Sequence, residues 1–304
     1  MGYIIIMNFS GAYEEQSFYR DYEAEWLDLR DVQGTNCYCD GEAEAVIRSR
    51  IKEYGPRGVH FLDSGNYHYV SKIWLDLVDE DFDLLVYDHH TDMQMPMFGD
   101  ILSCGGWIKW ALDTHPRLKR VYLAGPPESG RREIEAEGYG DRVVWIGEDE
   151  LAGGAVKDHL AGGGLPLYIS LDKDILDTSY GATNWDQGEA SLTCVLESIK
   201  EAAACRSIIG VDICGEDPDG AGRRGGMCAD SEWDHAGADA ADAGRDHACA
   251  SAADSEWDHA GADAADAERD HAPTDAAGIN DRANREIISK LVGLCDRMTP
   301  QKGI

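Results

Sequence analysis

Apolar runs recur along the chain, and several end on a polar cluster. Tyr3–Asn8, Gly58–Leu62, Phe82–Tyr87, Arg120–Leu123, Val143–Ile146, Pro166–Leu171 and Ser207–Ile213 are near-continuously hydrophobic. Such runs predict strands buried on both faces. Between them, Glu42–Glu53, Val70–Val78, Gly106–Leu112, Glu148–Leu160 and Leu192–Cys205 predict helices, and Asp281–Met298 a last one. That segment sets Ile287, Ile288, Leu291, Val292 and Leu294 on one amphipathic face, as a closing helix requires. Alternation of strand and helix predicts an α/β domain, with a parallel sheet covered by helices on both faces. Ligands of such sheets sit beyond the carboxyl ends of the strands.

One stretch breaks this pattern. Residues 229–248 and 253–272 are the same 20-residue sequence except for Gly244 against Glu268, at an offset of 24 residues. Two copies fall short of a solenoid. Each holds one large apolar residue, Trp233 or Trp257, among Ala, Asp, Gly and His. That composition cannot offset the entropy of ordering, so a disordered acidic insert is expected over 219–277. Residues 1–218 and 278–304 are then expected to form one domain. The copies carry four of the ten histidines, His235, His247, His259 and His271. A weak metal-sequestering arm is one reading of them. A solvated insertion is favoured, because no fold preorganises the ligands.

Charge narrows the partners. The chain carries 27 Lys and Arg against 58 Asp and Glu, a net charge of -31. The two copies supply -11 of it, so the rest still carries -20. Such a surface repels phosphate backbones and anionic membranes, which argues against a nucleic-acid or membrane partner. No run approaches the roughly 20 apolar residues of a membrane span. The start, MGYIIIMNFSG, lacks the basic segment of a signal peptide and reads as a first strand. Nine cysteines without framework spacing predict a reduced, cytoplasmic protein.

The candidate chemistry sits at three strand ends. Phe82–Tyr87 runs into Asp88-His89-His90-Thr91-Asp92, Pro166–Leu171 into Asp172-Lys173-Asp174, and Gly58–Leu62 through Gly65-Asn66-Tyr67 to His68. Alternate residues at a strand end share a side, so Asp88, His90 and Asp92 are expected to converge, as are Asp172 and Asp174. Four carboxylates together repel one another unless cations balance them. Two divalent ions do so, and an oxygen-rich set with two imidazoles suits Mn²⁺ better than tetrahedral Zn²⁺.

In this order, His68, Asp88-His89-His90-Thr91-Asp92, Ser170-Leu171-Asp172-Lys173-Asp174 with Asp177, and Asp212-Ile213-Cys214-Gly215-Glu216-Asp217-Pro218 resemble the ureohydrolases, the family of arginase, agmatinase and formiminoglutamase. The resemblance implies a three-layer arginase-like α/β fold and a small-molecule substrate. It implies a binuclear manganese centre, with His68, Asp88, His90, Asp92, Asp172 and Asp174 as ligands. Asp88 and Asp172 bridge both ions, His68 and Asp92 complete one position, and His90 and Asp174 the other. A bridging hydroxide then attacks a planar carbon bearing nitrogen, as in a guanidino, formimino or related amidine or amide group. The resemblance further implies a homo-oligomer. The alternative is a catalytically altered metal-binding relative that acts by binding a ligand or partner.

The departures bear on substrate. The second histidine of arginases, thought to shuttle protons, is missing, and Cys104 takes the nearest position, either as the candidate for proton transfer or as a small buried cysteine. In the fourth motif Gly215 stands where a glutamate grips the guanidinium, with Glu216 one place later. A one-residue shift turns a side chain to the other face unless a bulge restores it. Arginine and agmatine are therefore expected to be poor substrates, and Gly215→Glu with Cys104→His is expected to restore guanidine hydrolysis. Trp107 and Trp110, at helical spacing, are expected in the core. Met93, Met95 and Met97 either line the pocket or pack.

Overall fold

The computed structural model describes residues 3–95, 101–218 and 276–298. Ten strands and eight helices lie in it: β1 Tyr3–Asn8, β2 Ala24–Asp28, β3 Tyr38–Cys39, α1 Gly41–Ile51, β4 Gly58–Phe61, α2 Val70–Leu75, β5 Phe82–Tyr87, β6 Leu102–Ser103, α3 Trp107–Thr114, β7 Leu118–Ala124, α4 Ser129–Ala136, β8 Val143–Ile146, α5 Glu148–Ala152, α6 Val156–Leu160, β9 Leu167–Asp172, α7 Leu192–Cys205, β10 Ile208–Cys214 and α8 Ala276–Met298. Eight strands form one sheet in the order β2-β1-β4-β10-β9-β5-β7-β8, and every pairing in it is parallel. β3 and β6 form a short antiparallel pair.

Alternation along the strands builds two cores. Ile5, Met7, Leu84, Val86, Val121 and Leu123 face one side, against Ala43, Ile47 and Ile51 of α1 and Ile73, Trp74 and Trp107 of α2 and α3. Ile4, Ile6, Val59, Phe61, Leu85, Ile169 and Val211 face the other, against Val195 and Ile199 of α7 and Ile287, Ile288 and Leu291 of α8. The expected layering, a parallel sheet with helices on both faces, holds. The four central strands β4, β10, β9 and β5 are buried along their whole length. Their carboxyl ends lie side by side, and chain order doubles back across them, which makes this the switch point of the sheet.

The differences from the sequence-based reading are local. β2 was not expected: it is an edge strand whose residues are all at least partly exposed, so no apolar run marks it. The helix expected over 148–160 is two, because Gly153 and Gly154 end the first, Gly154 at φ +74°. The closing helix begins at Ala276, before Asp281 and inside the range expected for the insert. The duplicated segment lies outside the described residues, as does Met97. Among the described residues no helix is long and apolar enough to cross a membrane.

Candidate metal centre

Three loops after β4, β5 and β9 carry the acids and histidines, and a buried carboxylate shapes the first. Asp63 accepts from the amides of Phe9 and Ser10 at 2.8 Å each, from Ser10 Oγ at 2.6 Å and from the amide of Ser64 at 2.7 Å. This ties the end of β1 to the end of β4. A short 3-10 turn, Gly65–Tyr67, then delivers His68. The ring of Trp185 lies over the turn: a Cβ on Gly65 would come within 2.8 Å of Trp185 Cδ1 and 3.2 Å of Asp172 Oδ2, so only glycine permits the approach.

The second and third loops converge by tight turns rather than by strand alternation. Asp88 Oδ1 accepts from the His90 amide at 2.6 Å, and Asp92 adopts φ +48°. Asp172 Oδ1 accepts from the Asp174 amide at 3.0 Å in the 3-10 turn Lys173–Ile175. In both, the first aspartate caps the amide two residues on, a habit of the residue type. Asp174 Oδ1 then accepts from the His89 amide at 3.0 Å, which locks the two loops together.

The six side chains named from the sequence are brought together. His68 Nδ1 lies 2.9 Å from Asp92 Oδ2, 3.2 Å from Asp88 Oδ2 and 3.4 Å from Asp172 Oδ2. His90 Nδ1 lies 2.8 Å from Asp174 Oδ2 and 3.7 Å from Asp88 Oδ1. Asp88 thus turns one oxygen to each histidine and stands between two half-clusters. Asp172 faces the His68 half through Oδ2, while its Oδ1 is held by its own loop.

Electrostatics show why these groups suit cations. Burial raises Asp92 to about 6, with the charge of Asp88 adding to it. Burial also raises Asp172 against the pull of His68, and raises Asp174 further with Asp172 and Asp88 beside it. Burial works on Asp88 in the same direction, yet the His68 and His90 imidazoles beside it hold it well below the usual carboxylate range. Burial opposes a charged His90, but Asp174 and Asp88 push it up to about 12. Four carboxylates facing two imidazoles cannot all ionise without more positive charge. Asp88 Oδ2 is buried and has no hydrogen-bond partner, a defect that a bound cation removes. The donor set and this orphaned oxygen both fit metal.

Supporting contacts fix the ligand geometry. His68 Nε2 lies 2.8 Å from Ser170 Oγ, which leaves Nδ1 for the cluster. The Trp107 indole donates to Asp92 Oδ2 at 2.6 Å, and its ring lies 4.8 Å from that of His68. Trp107 is fully buried as expected of a core residue, but it also orients a carboxylate. The edge of Trp185 meets His90 at 5.8 Å, and its indole donates to Asn66 Oδ1 at 2.9 Å. The sequence had singled out neither Trp185 nor Asn66.

The two residues expected at the reacting centre lie differently. Cys104 is in no disulfide, is 5% exposed and lies in the apolar core cluster, and it belongs to none of the clustered ligand groups among the described residues. Glu216 is 1% exposed and forms a short ion pair with Lys173. Its carboxylate also accepts from Asn284 Nδ2 and Gln16 Nε2, each at 2.7 Å. No bulge restores it to the metal side: Gly215, at φ +88°, turns the chain so that Glu216 points into this buried network. A Cβ on Gly215 would lie 2.4 Å from Asp172 Oδ1, so a side chain at 215 requires Asp172 to shift, which argues against Gly215→Glu as a route to guanidine hydrolysis. Asp177 caps its own turn, accepting from the Ser179 amide at 2.9 Å. Met93 is buried and Met95 is 67% exposed.

No family model matches this chain. A protein of Thermotoga maritima, described as an uncharacterized protein, is 30% identical over 216 residues, covering 70% of this chain and 80% of the relative. The chain belongs to one family with it. Proclavaminate amidino hydrolase from Streptomyces clavuligerus is similar in structure, at 15% identity and a TM-score of 0.54 over 70% of this chain and 83% of that one. Formimidoylglutamase from Bacillus subtilis gives 16% and 0.55 over 71% and 79%. Arginase from Bacillus caldovelox gives 14% and 0.54 over 72% and 92%.

The fold is that of the ureohydrolases. The ureohydrolase fold accounts for the sheet and its switch point. The pairing of Glu216 with Lys173 and the turn at Gly215 are features read from this chain's own residues.

Proposed function

We propose that this protein is a binuclear, manganese-dependent hydrolase of a linear C–N bond in a small molecule, and that its substrate is not a free guanidinium. The observation that carries the reading is the pair of half-clusters around His68 and His90, joined by Asp88, at the switch point of a ureohydrolase fold. His68, Asp88, Asp92 and Asp172 would hold one ion, and His90, Asp88 and Asp174 the other. A pair of divalent ions, when bound there, supplies charge to polarise the substrate and a water-derived nucleophile at neutral pH.

The chain's own residues do the rest. Ser170 and Trp107 keep His68 and Asp92 aimed inward. His90, with a side chain 24% exposed, is the more open of the two histidines, so the substrate arrives on its side, along the ring of Trp185. Glu216 is already neutralised by Lys173, so no free carboxylate is offered there to a guanidinium. A cationic group then forgoes a charge-assisted pair of roughly 1.5–3 kcal/mol. A neutral amide group loses nothing by it.

The test is release of ammonia, urea or formamide from a panel of guanidino, formimino and amide compounds by the Mn²⁺-loaded protein. Turnover of a neutral C–N compound, with arginine and agmatine poor, is the expected outcome. Efficient arginine or agmatine hydrolysis overturns the substrate reading. Two bound ions with no turnover of any compound favours a ligand-binding role.

A further inference from the structure

The end of β10 carries a group to which the metal reading gives no role. Cys214 is the last residue of the strand, a free thiol 1% exposed. Parallel pairing sets it level with Asp172 of β9, and its Sγ lies 3.0 Å from Asp172 Oδ2. That same oxygen is 3.4 Å from His68 Nδ1. The sulfur, the imidazole nitrogen and the carboxylate oxygen all lie within 4.8 Å of one another. A fourth group points to the same place: the buried, unpartnered Asp88 Oδ2, 3.2 Å from His68 Nδ1. The loops after β4 and β5 and the ends of β9 and β10 each contribute one of these groups.

The backbone explains how a thiol comes to be there. The left-handed turn at Gly215 takes Glu216 away to Lys173, and the space a side chain at 215 would need is filled by Asp172. Cys214 is therefore the group that β10 brings to the cluster. A buried thiol can stay protonated and give Asp172 a weak hydrogen bond. Beside a dication the balance changes: the S–H bond breaks, a sulfur–metal bond forms and the proton leaves to solvent, as is general for coordinating thiols.

We propose that Cys214, as its thiolate, is a ligand of the ion held by His68, Asp88, Asp92 and Asp172. This rests on the reading of the cluster as a metal centre and alters its chemistry. The His68 position gains a soft sulfur ligand, while the His90 position keeps only nitrogen and oxygen. Thiolate selects borderline ions such as Zn²⁺ and Co²⁺ over Mn²⁺. The two positions then differ in preference, and the centre takes a mixed pair of ions when both kinds are supplied.

Cobalt is the probe that separates this from the underlying reading. The full chain, stripped with chelator, is titrated anaerobically with Co²⁺. Bound ions are counted by elemental analysis, and a near-ultraviolet sulfur-to-cobalt charge-transfer band is followed. Two ions are expected, with the band complete after the tighter position fills. The band should vanish in Cys214→Ser, with cobalt still bound, and persist in Cys104→Ser. In competition, Cys214→Ser should lose about tenfold or more of the Zn²⁺-over-Mn²⁺ preference. X-ray absorption of the Zn²⁺-loaded wild type needs no variant and should show a sulfur neighbour at about 2.3 Å. Bound cobalt without the band, or zinc without sulfur, overturns the thiolate ligand and leaves the metal centre standing. Absence of any bound ion overturns both.

Discussion

Glu216 is the residue at which sequence and structure point to different roles, and its replacement by glutamine separates them. Lys173 and Glu216 are paired with side chains 0% and 1% exposed. Glu216→Gln keeps the shape but removes the charge that neutralises the buried Lys173 ammonium, which also donates to Asn284 Oδ1 at 3.2 Å; its one amide oxygen can serve Lys173 and Asn284 or Gln16, and its NH2 then meets a donor on the other side. Coulomb attraction near 4 Å is about 4 kcal/mol at an effective dielectric of about 20. Removing one partner of a buried pair typically costs about 3–5 kcal/mol. For a domain of this size, that lowers Tm by roughly 6–20 °C. Thermal and urea unfolding of the metal-loaded protein read this directly. Metal content should not change, and kcat/KM should stay within about threefold, under 1 kcal/mol. Lys173→Met strands the carboxylate and should cost a similar amount. The double variant should cost clearly less than the two singles together, since each removes what the other left unpaired. A Glu216→Gln protein as stable as wild type would refute the structural role. A folded, metal-replete variant that had lost most of its turnover would instead place Glu216 on the substrate.

Other consequences are equally direct. Asp88→Asn should lose most of both ions, because its two oxygens face the two histidines, and Asp172→Asn should lose chiefly the His68 ion; unchanged metal content in both contradicts the ligand assignment. Metal uptake should weaken as pH falls through about 6: Asp92, raised to about 6, takes a proton below that value and competes with the ion, so equal affinity at pH 7 and pH 5 contradicts the scheme. Gly215→Glu forces a side chain into a left-handed position at a cost of about 1–3 kcal/mol before any clash with Asp172, so it should lose metal and gain no guanidine hydrolysis, as metal analysis and urea release will show. Deleting residues 229–272 should leave Tm and metal content unchanged, because each copy brings only one large apolar residue; loss of folded protein would show that the segment packs.

The central architecture was legible because its signal is local. A strand buried on both faces must be apolar throughout, so β4, β5, β9 and β10 announced themselves, whereas the exposed edge strand β2 did not. The convergence of the six acids and histidines was legible for a similar reason: the Asp-x-His-x-Asp and Asp-x-Asp spacings bring them together through turns that the aspartates themselves cap. Trp107 was half legible, since helical spacing marks a core residue but not the indole hydrogen bond to Asp92. The fourth motif was beyond reach. Whether Glu216 faces the metals or Lys173 depends on the sign of φ at Gly215. That sign depends on Asp172, 43 positions away in the chain, filling the space where a Cβ would sit. Cys214 meets Asp172 only through the register of β10 on β9. Register and backbone handedness at a single glycine are settled by packing between distant segments. That is why the acids and histidines of the cluster could be read along the chain, while the thiol beside them and the lysine that neutralises Glu216 emerged only from the folded sheet.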